Sequence, residues 1–221
     1  MPDAAHHITQ RGNNKQDVFF VDDDRRKFLE LLKEQSSRFD VAIDGFCLMT
    51  NHIHIIATPA RDDSLAKMMG RVNLLYSQYI SYMHGRCGHL WQNRFYSCPL
   101  DARHFFTALN YIEQNPVRAG MVRHPWRYRW SSAGFHAGGN DEFGLIDQKK
   151  WRRQSSGLDW RKILRSQLEK CDIDKLRIYS RTGRPLGSDK FISKLETVIG
   201  RRLRALPVGR PKKNKKLKAN R

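Results

Sequence analysis

Apolar and polar positions alternate loosely over His6-His7-Ile8-Thr9-Gln10-Arg11 and stop at Gly12-Asn13-Asn14, which predicts a strand ending in a polar loop. Asp22, Asp23 and Asp24 then stand where carboxylates favour a helix N-terminus. Phe28, Leu31, Leu32, Gln35 and Phe39 follow at helical spacing, so a first helix is expected over 23–38. Two short runs rich in Val, Ile and Phe, 41–49 and 53–58, flank Thr50-Asn51 and predict an antiparallel strand pair at the centre of the sheet. A 3.6-residue stripe of Leu65, Met68, Met69, Val72, Leu75, Tyr76, Tyr79 and Met83, with Ser64 as its expected cap, predicts the longest helix.

A mixed aromatic and basic stretch, Leu90 to Tyr96, leads into an expected strand from Ser97 to Leu100. Asp101 then caps a third helix that Pro116 should end near Asn115, because proline disfavours helical geometry in its predecessor and cannot donate a hydrogen bond. The order is strand, helix, strand, strand, helix, strand, helix. That order predicts an α+β, ferredoxin-like antiparallel sheet with helices on one face. Beyond Gly120 the pattern weakens: 126–130 and 136–139 read as irregular surface, 159–170 as a short helix, 181–187 as a loop and 190–199 as a last helix. Three units are expected: a catalytic domain over 1–140, a helical or irregular extension over 141–200, and a disordered basic tail over 201–221.

Charge sharpens this picture. The 221 residues carry 41 Lys+Arg against 22 Asp+Glu, a formal net charge of +19, and ten of those cations with no acid fall in 201–221. A basic chain with a basic tail points to a polyanion, nucleic acid or an anionic surface. No apolar run reaches the roughly 18 residues of a membrane span and residues 1–7 lack a signal-peptide layout, so a cytoplasmic protein is expected. Cys47, Cys87, Cys98 and Cys171 form no C-x-x-C and read as reduced thiols.

The candidate chemistry lies on the strand pair and the third helix. His52 and His54, two apart on a strand, point to one face while Ile53 and Ile55 point to the other, so both rings can converge on one divalent ion. Hydrogen-bonded structural histidines are the alternative. Tyr111 and Asn115 share a helix face one turn apart, where a phenol nucleophile and an amide oxygen ligand could act together; for Tyr111 the alternative is packing at the border of the Phe105, Leu109 and Ile112 stripe. Arg94, Arg103, Arg118 and Arg123 are candidate phosphate contacts, Arg118 first among them. Asn13 and Asn14 could touch bases or phosphates, or simply make a turn. Trp91, Phe95 and Tyr96 could stack bases or pack the core. Gly209-Arg210-Pro211 resembles an AT-hook core, with a generic polybasic tail as its alternative.

Four segments together closely resemble the REP-associated tyrosine transposases, relatives of the single-tyrosine HUH insertion-sequence transposases: 45–56, ending Asn51-His52-Ile53-His54-Ile55-Ile56; 89–95; 111–122; and Trp130-Ser131-Ser132. The likeness begins at Thr9 to Asn13 and extends to Thr182 to Ser188, which brings Arg184 among the expected DNA contacts. It implies a bacterial, nucleoid-associated nickase and strand transferase for single-stranded or hairpin DNA, monomeric or homodimeric. By the same likeness, His52, His54 and Asn115 hold Mg²⁺ or Mn²⁺, and Tyr111 attacks DNA to form a 5′-phosphotyrosine. A catalytically silent hairpin-binding regulator and a water-using metal nuclease are the rival readings.

Overall fold

A computed structural model describes residues 1–205. Its sheet holds four antiparallel strands, β1 (Ala5–Arg11), β2 (Val41–Met49), β3 (His52–Pro59) and β4 (Tyr96–Leu100), in the order β2-β3-β1-β4. The β2–β3 pair is therefore not the sheet's centre: β3 and β1 are central and β2 is an edge. The register aligns Thr9 with His54 and Arg11 with His52, and on the other side His54 with Cys47, so these side chains share one face. Ile8, Ile53 and Ile55 alternate with them and are fully buried on the opposite face.

Helices α1 (Asp22–Arg38) and α2 (Ser64–His84) pack on each other and bury Phe28, Leu32, Met68, Val72 and Tyr76. Their apolar stripes supply the cover that Ile8, Ile53 and Ile55 require. Asp63, not Ser64, is the N-cap residue of α2; Ser64 opens the helix with its hydroxyl buried and unpartnered. Tyr76 is core, its hydroxyl donating to the Val18 carbonyl at 2.6 Å, whereas Tyr82 is exposed.

Helix α3 (Ala102–Glu113) lies across the histidine face, so helices flank both faces of the sheet rather than one. Gly45 on β2 makes this possible, because a Cβ there would collide with the Leu109 side chain. Asp101 caps α3 as expected, accepting from the His104 N–H at 2.9 Å. Helix α3 ends at Glu113, near the expected Asn115, and the chain continues directly into α4 (Asn115–Arg118), with the proline in the first turn, where a missing N–H costs nothing.

Of residues 126–130, expected as irregular surface, Tyr128 and Trp130 are buried while Arg127 and Arg129 are exposed, and Ser131, Ser132 and Ala133 after them are buried. Leu48 N–H donates to the Trp130 carbonyl, Ser132 N–H to the Phe46 carbonyl, and the Tyr128 hydroxyl to the Leu48 carbonyl, which closes the exposed edge of β2. The short helices α5 (Ala133–His136), α6 (Gln148–Gln154) and α7 (Trp160–Ile163) follow. The bulged Asp44 of β2 reaches Lys150 of α6 at 2.5 Å. Next comes a helix that the sequence pattern did not suggest, α8 (Lys170–Thr182), and then the expected α9 (Asp189–Ile199). Residues 201–205, placed in the tail by the sequence pattern, fold back on α9 through an Arg204–Glu196 ion pair. Arg210 and the AT-hook-like segment lie outside the described residues.

Candidate active site

A cavity of about 560 Å³ opens between the histidine face of the sheet, α3 and α8. His52, His54, Tyr111 and Asn115 all line it, so residues up to 63 positions apart converge on one space. The Tyr111 ring centre lies 5.9 Å from that of His54 and meets it edge-on, and His52 and His54 are 5.1 Å apart.

The tautomer of His52 is fixed by its neighbours. Asn51 donates through Nδ2 to the Lys15 carbonyl at 3.1 Å, which turns its Oδ1 toward His52 Nδ1 at 2.6 Å. An amide oxygen only accepts, so Nδ1 carries the proton and Nε2 keeps a lone pair. Burial pushes His52 down to about 4, with Arg11 adding to the shift, and His54 is driven well below the usual histidine range by burial and then by His52. Both rings are neutral near pH 7, as ligation requires.

Arg118 is placed differently from its expected role on phosphate. Its guanidinium donates to the Tyr111 carbonyl at 2.5 Å and to Asn115 Oδ1 at 2.6 Å, and lies 4.4 Å from the Tyr111 ring centre. It clamps the tyrosine and orients the amide. Asn115 Nδ2 is buried without a partner, while its carbonyl retains a second lone pair. Two neutral imidazoles and one amide oxygen, with no carboxylate or thiolate, fit a divalent ion that leaves most of its positions to water and phosphate oxygens. Among the described residues no group of three or more His, Cys, Asp or Glu could hold an ion without such help.

The expected DNA contacts divide. Arg94 lines the cavity, and so does Tyr96, which is 42% exposed, whereas Trp91 packs against Phe28 and Tyr76 in the core. Asn13 and Asn14 form a 3-10 turn outside the cavity, Asn14 in the left-handed region that asparagine tolerates. Arg184 is exposed and also outside it. Unforeseen wall residues are His7, Arg11, Arg177, Ser180 and Arg181. The i, i+4 arginine pair of α8 was the available signal, hidden because that helix was not expected. With Arg94, the arginines give the wall four cations and, among the described residues, no Asp or Glu.

A buried polar network positions α3. Glu113, fully buried, accepts from Ser132 Oγ at 2.6 Å, His136 Nδ1 at 2.5 Å and Trp160 Nε1 at 2.8 Å. Gln114 Nε2 donates to the carbonyls of Leu164 and Ser166, and Asn110 Nδ2 to that of Ile163.

The chain belongs to the IS200-like transposases, whose family model matches residues 2–115. A solved structure described as a REP-associated tyrosine transposase bound to a REP hairpin shares the fold at TM-score 0.52, with 17% identity over 60% of this chain and 78% of that one. A second, described as a candidate transposase from Deinococcus radiodurans R1, covers 50% of this chain and 88% of its own at 13% identity and TM-score 0.38. No curated protein matches the sequence. Among the described residues no helix is long and apolar enough to cross a membrane.

Proposed function

We propose that this transposase-family chain is a metal-dependent endonuclease and strand transferase for single-stranded DNA carrying a hairpin, working through a 5′-phosphotyrosine on Tyr111. The observation that carries the reading is the meeting of Tyr111, His52 and His54 in one cavity whose charged lining residues are all arginines. The hairpin substrate is inferred from the relative of similar fold, which is bound to a REP hairpin.

Tyr111 Oη forms a bond to the scissile phosphorus, the bond from phosphorus to the 3′ oxygen breaks, and that oxygen leaves as a 3′-OH with the phenolic proton delivered through solvent. Because the new ester conserves the bond energy, a 3′-OH from another strand reverses the step and joins DNA without a nucleotide cofactor. His52 and His54, with the Asn115 carbonyl, would hold Mg²⁺ or Mn²⁺, which when bound supplies Lewis-acid polarisation of the scissile phosphate. Arg94, Arg177 and Arg181 neutralise the flanking phosphates, and Arg118 holds Tyr111 and Asn115 in register for attack.

Labelled hairpin DNA incubated with the protein and Mn²⁺, run on a denaturing gel, tests this. A protein-linked 5′ end that EDTA abolishes is the expected product. A free cut without linkage would move the nucleophile from Tyr111 to water, and binding without a cut would make the chain a silent hairpin binder.

A further inference from the structure

His7 on β1 is 1% exposed, and both its ring nitrogens are engaged. Nε2 meets His54 Nδ1 at 2.9 Å, and Nδ1 meets Ser180 Oγ of α8 at 2.7 Å. The His7 and His54 rings are within 20° of coplanar with centres 5.1 Å apart, the spacing of two imidazoles joined edge to edge by a ring N–H. Ser180, 7% exposed, is one of only two buried residues of α8, the other being Leu176. A chain of three polar side chains therefore runs from the cavity through the sheet face to a helix that lies beyond the family-matched residues 2–115.

Two polarities satisfy this chain, because each neutral imidazole carries one N–H and a serine hydroxyl both donates and accepts. In one, His54 Nδ1–H donates to His7 Nε2, His7 Nδ1–H donates to Ser180 Oγ, and His54 Nε2 is left with a lone pair toward the cavity. In the other, every proton is reversed and His54 Nε2–H points into the cavity, where it cannot ligate an ion. His52 has no such choice, since the Asn51 carbonyl accepts only. For His54 the choice falls to the relay, and the arginines that line the cavity, Arg11, Arg94, Arg177 and Arg181, favour a lone pair over an N–H on the nitrogen that faces them.

We propose that His7 and Ser180 are positioning residues that set the tautomer of His54, the relay running outward so that Nε2 is free to bind a divalent cation. The inference rests on the metal role proposed above for His54. Without the Ser180 hydroxyl, a buried His7 Nδ1–H would have nowhere to donate, so His7 would move its proton to Nε2 and force the proton of His54 onto its own Nε2. Partners of ligating histidines typically change metal affinity by about 10- to 100-fold when removed.

The test uses the full-length, ¹⁵N-labelled protein and Mn²⁺ alone. Long-range ¹H–¹⁵N spectra of the metal-free wild type are expected to show His54 protonated at Nδ1. Ser180→Ala should shift it toward Nε2–H and weaken Mn²⁺ binding by about 10- to 100-fold, and Ser180→Thr should restore both. His54 protonated at Nε2 in the wild type, or an unchanged tautomer and affinity in Ser180→Ala, would overturn the relay. Should Ser180→Ala fail to fold, the wild-type and Ser180→Thr spectra still decide the polarity. A wild type with the Nδ1–H tautomer that binds no Mn²⁺ would contradict the metal role while supporting the relay's direction.

Discussion

The two walls of the cavity are held by opposite kinds of force. On the sheet wall, His52 and His54 ride on a central strand whose intervening Ile53 and Ile55 are fully buried, so backbone ladder and apolar packing fix their place. On the helix wall, Tyr111 rides on α3, which is fastened to residues 132–166 by side-chain hydrogen bonds that Asn110 and Gln114 donate and Glu113 accepts. The first wall lies within the family-matched residues 2–115. The second takes its anchors from the chain beyond, so the position of Tyr111 depends on residues outside the matched segment.

The sharpest way to break this comparison is Glu113→Ala. It strands three buried donors, Ser132, His136 and Trp160, and should cost about 3–5 kcal/mol in chemical denaturation. Glu113→Gln, which keeps an accepting oxygen, should cost less. A loss below about 1 kcal/mol for the alanine variant would mean that α3 is held by its apolar stripe instead. Next in size, Gly45→Ala drives a methyl into Leu109 and should cost about 1–3 kcal/mol, with hairpin cleavage falling further than hairpin binding because α3 is displaced from the histidines.

The sheet wall should respond instead to pH. Burial lowers His52 to about 4 and His7 to about 3, while both titrate near the ordinary 6.5 once unfolded. Between those values the unfolded chain binds more protons than the folded one. Their contribution is thus complete above about pH 6.5 and is lost as pH falls toward 4 and 3, with a slope of about 1.4 kcal/mol per pH unit for each histidine. Denaturation midpoints at constant ionic strength from pH 7 to 4.5 would check this. His7→Gln should flatten the slope.

The smallest effect concerns the cationic rim. Arg177→Ala and Arg181→Ala should each reduce the slope of log affinity for single-stranded DNA against log salt by about 0.7, leaving the cleavage position unchanged. An unchanged slope would place those arginines outside the DNA path.

What could be read in the sequence follows the same division. The histidine pair and the Tyr111–Asn115 spacing are local, so strand and helix periods expose them, and β1 to α3 emerged in the right order. The anchors were illegible by period for a physical reason: Ser132, His136 and Trp160 are buried in irregular chain and four-residue helices, where no period exists to mark them. Helix α8 buries only Leu176 and Ser180, too little apolar stripe to distinguish it from a polar loop, and with it went Arg177, Ser180 and Arg181. The expectation that Arg118 meets phosphate came from its position after Asn115-Pro116-Val117; that it folds back onto Tyr111 is a tertiary fact.

The central claim is that Tyr111 itself becomes linked to DNA, and the most direct measurement is mass spectrometry of peptides from protein trapped on a hairpin substrate with Mn²⁺. The expected result is a 5′-phosphonucleotide adduct on the peptide containing Tyr111, absent in Tyr111→Phe, which should still bind the hairpin. An adduct on another residue, or wild-type cleavage by Tyr111→Phe, would contradict it.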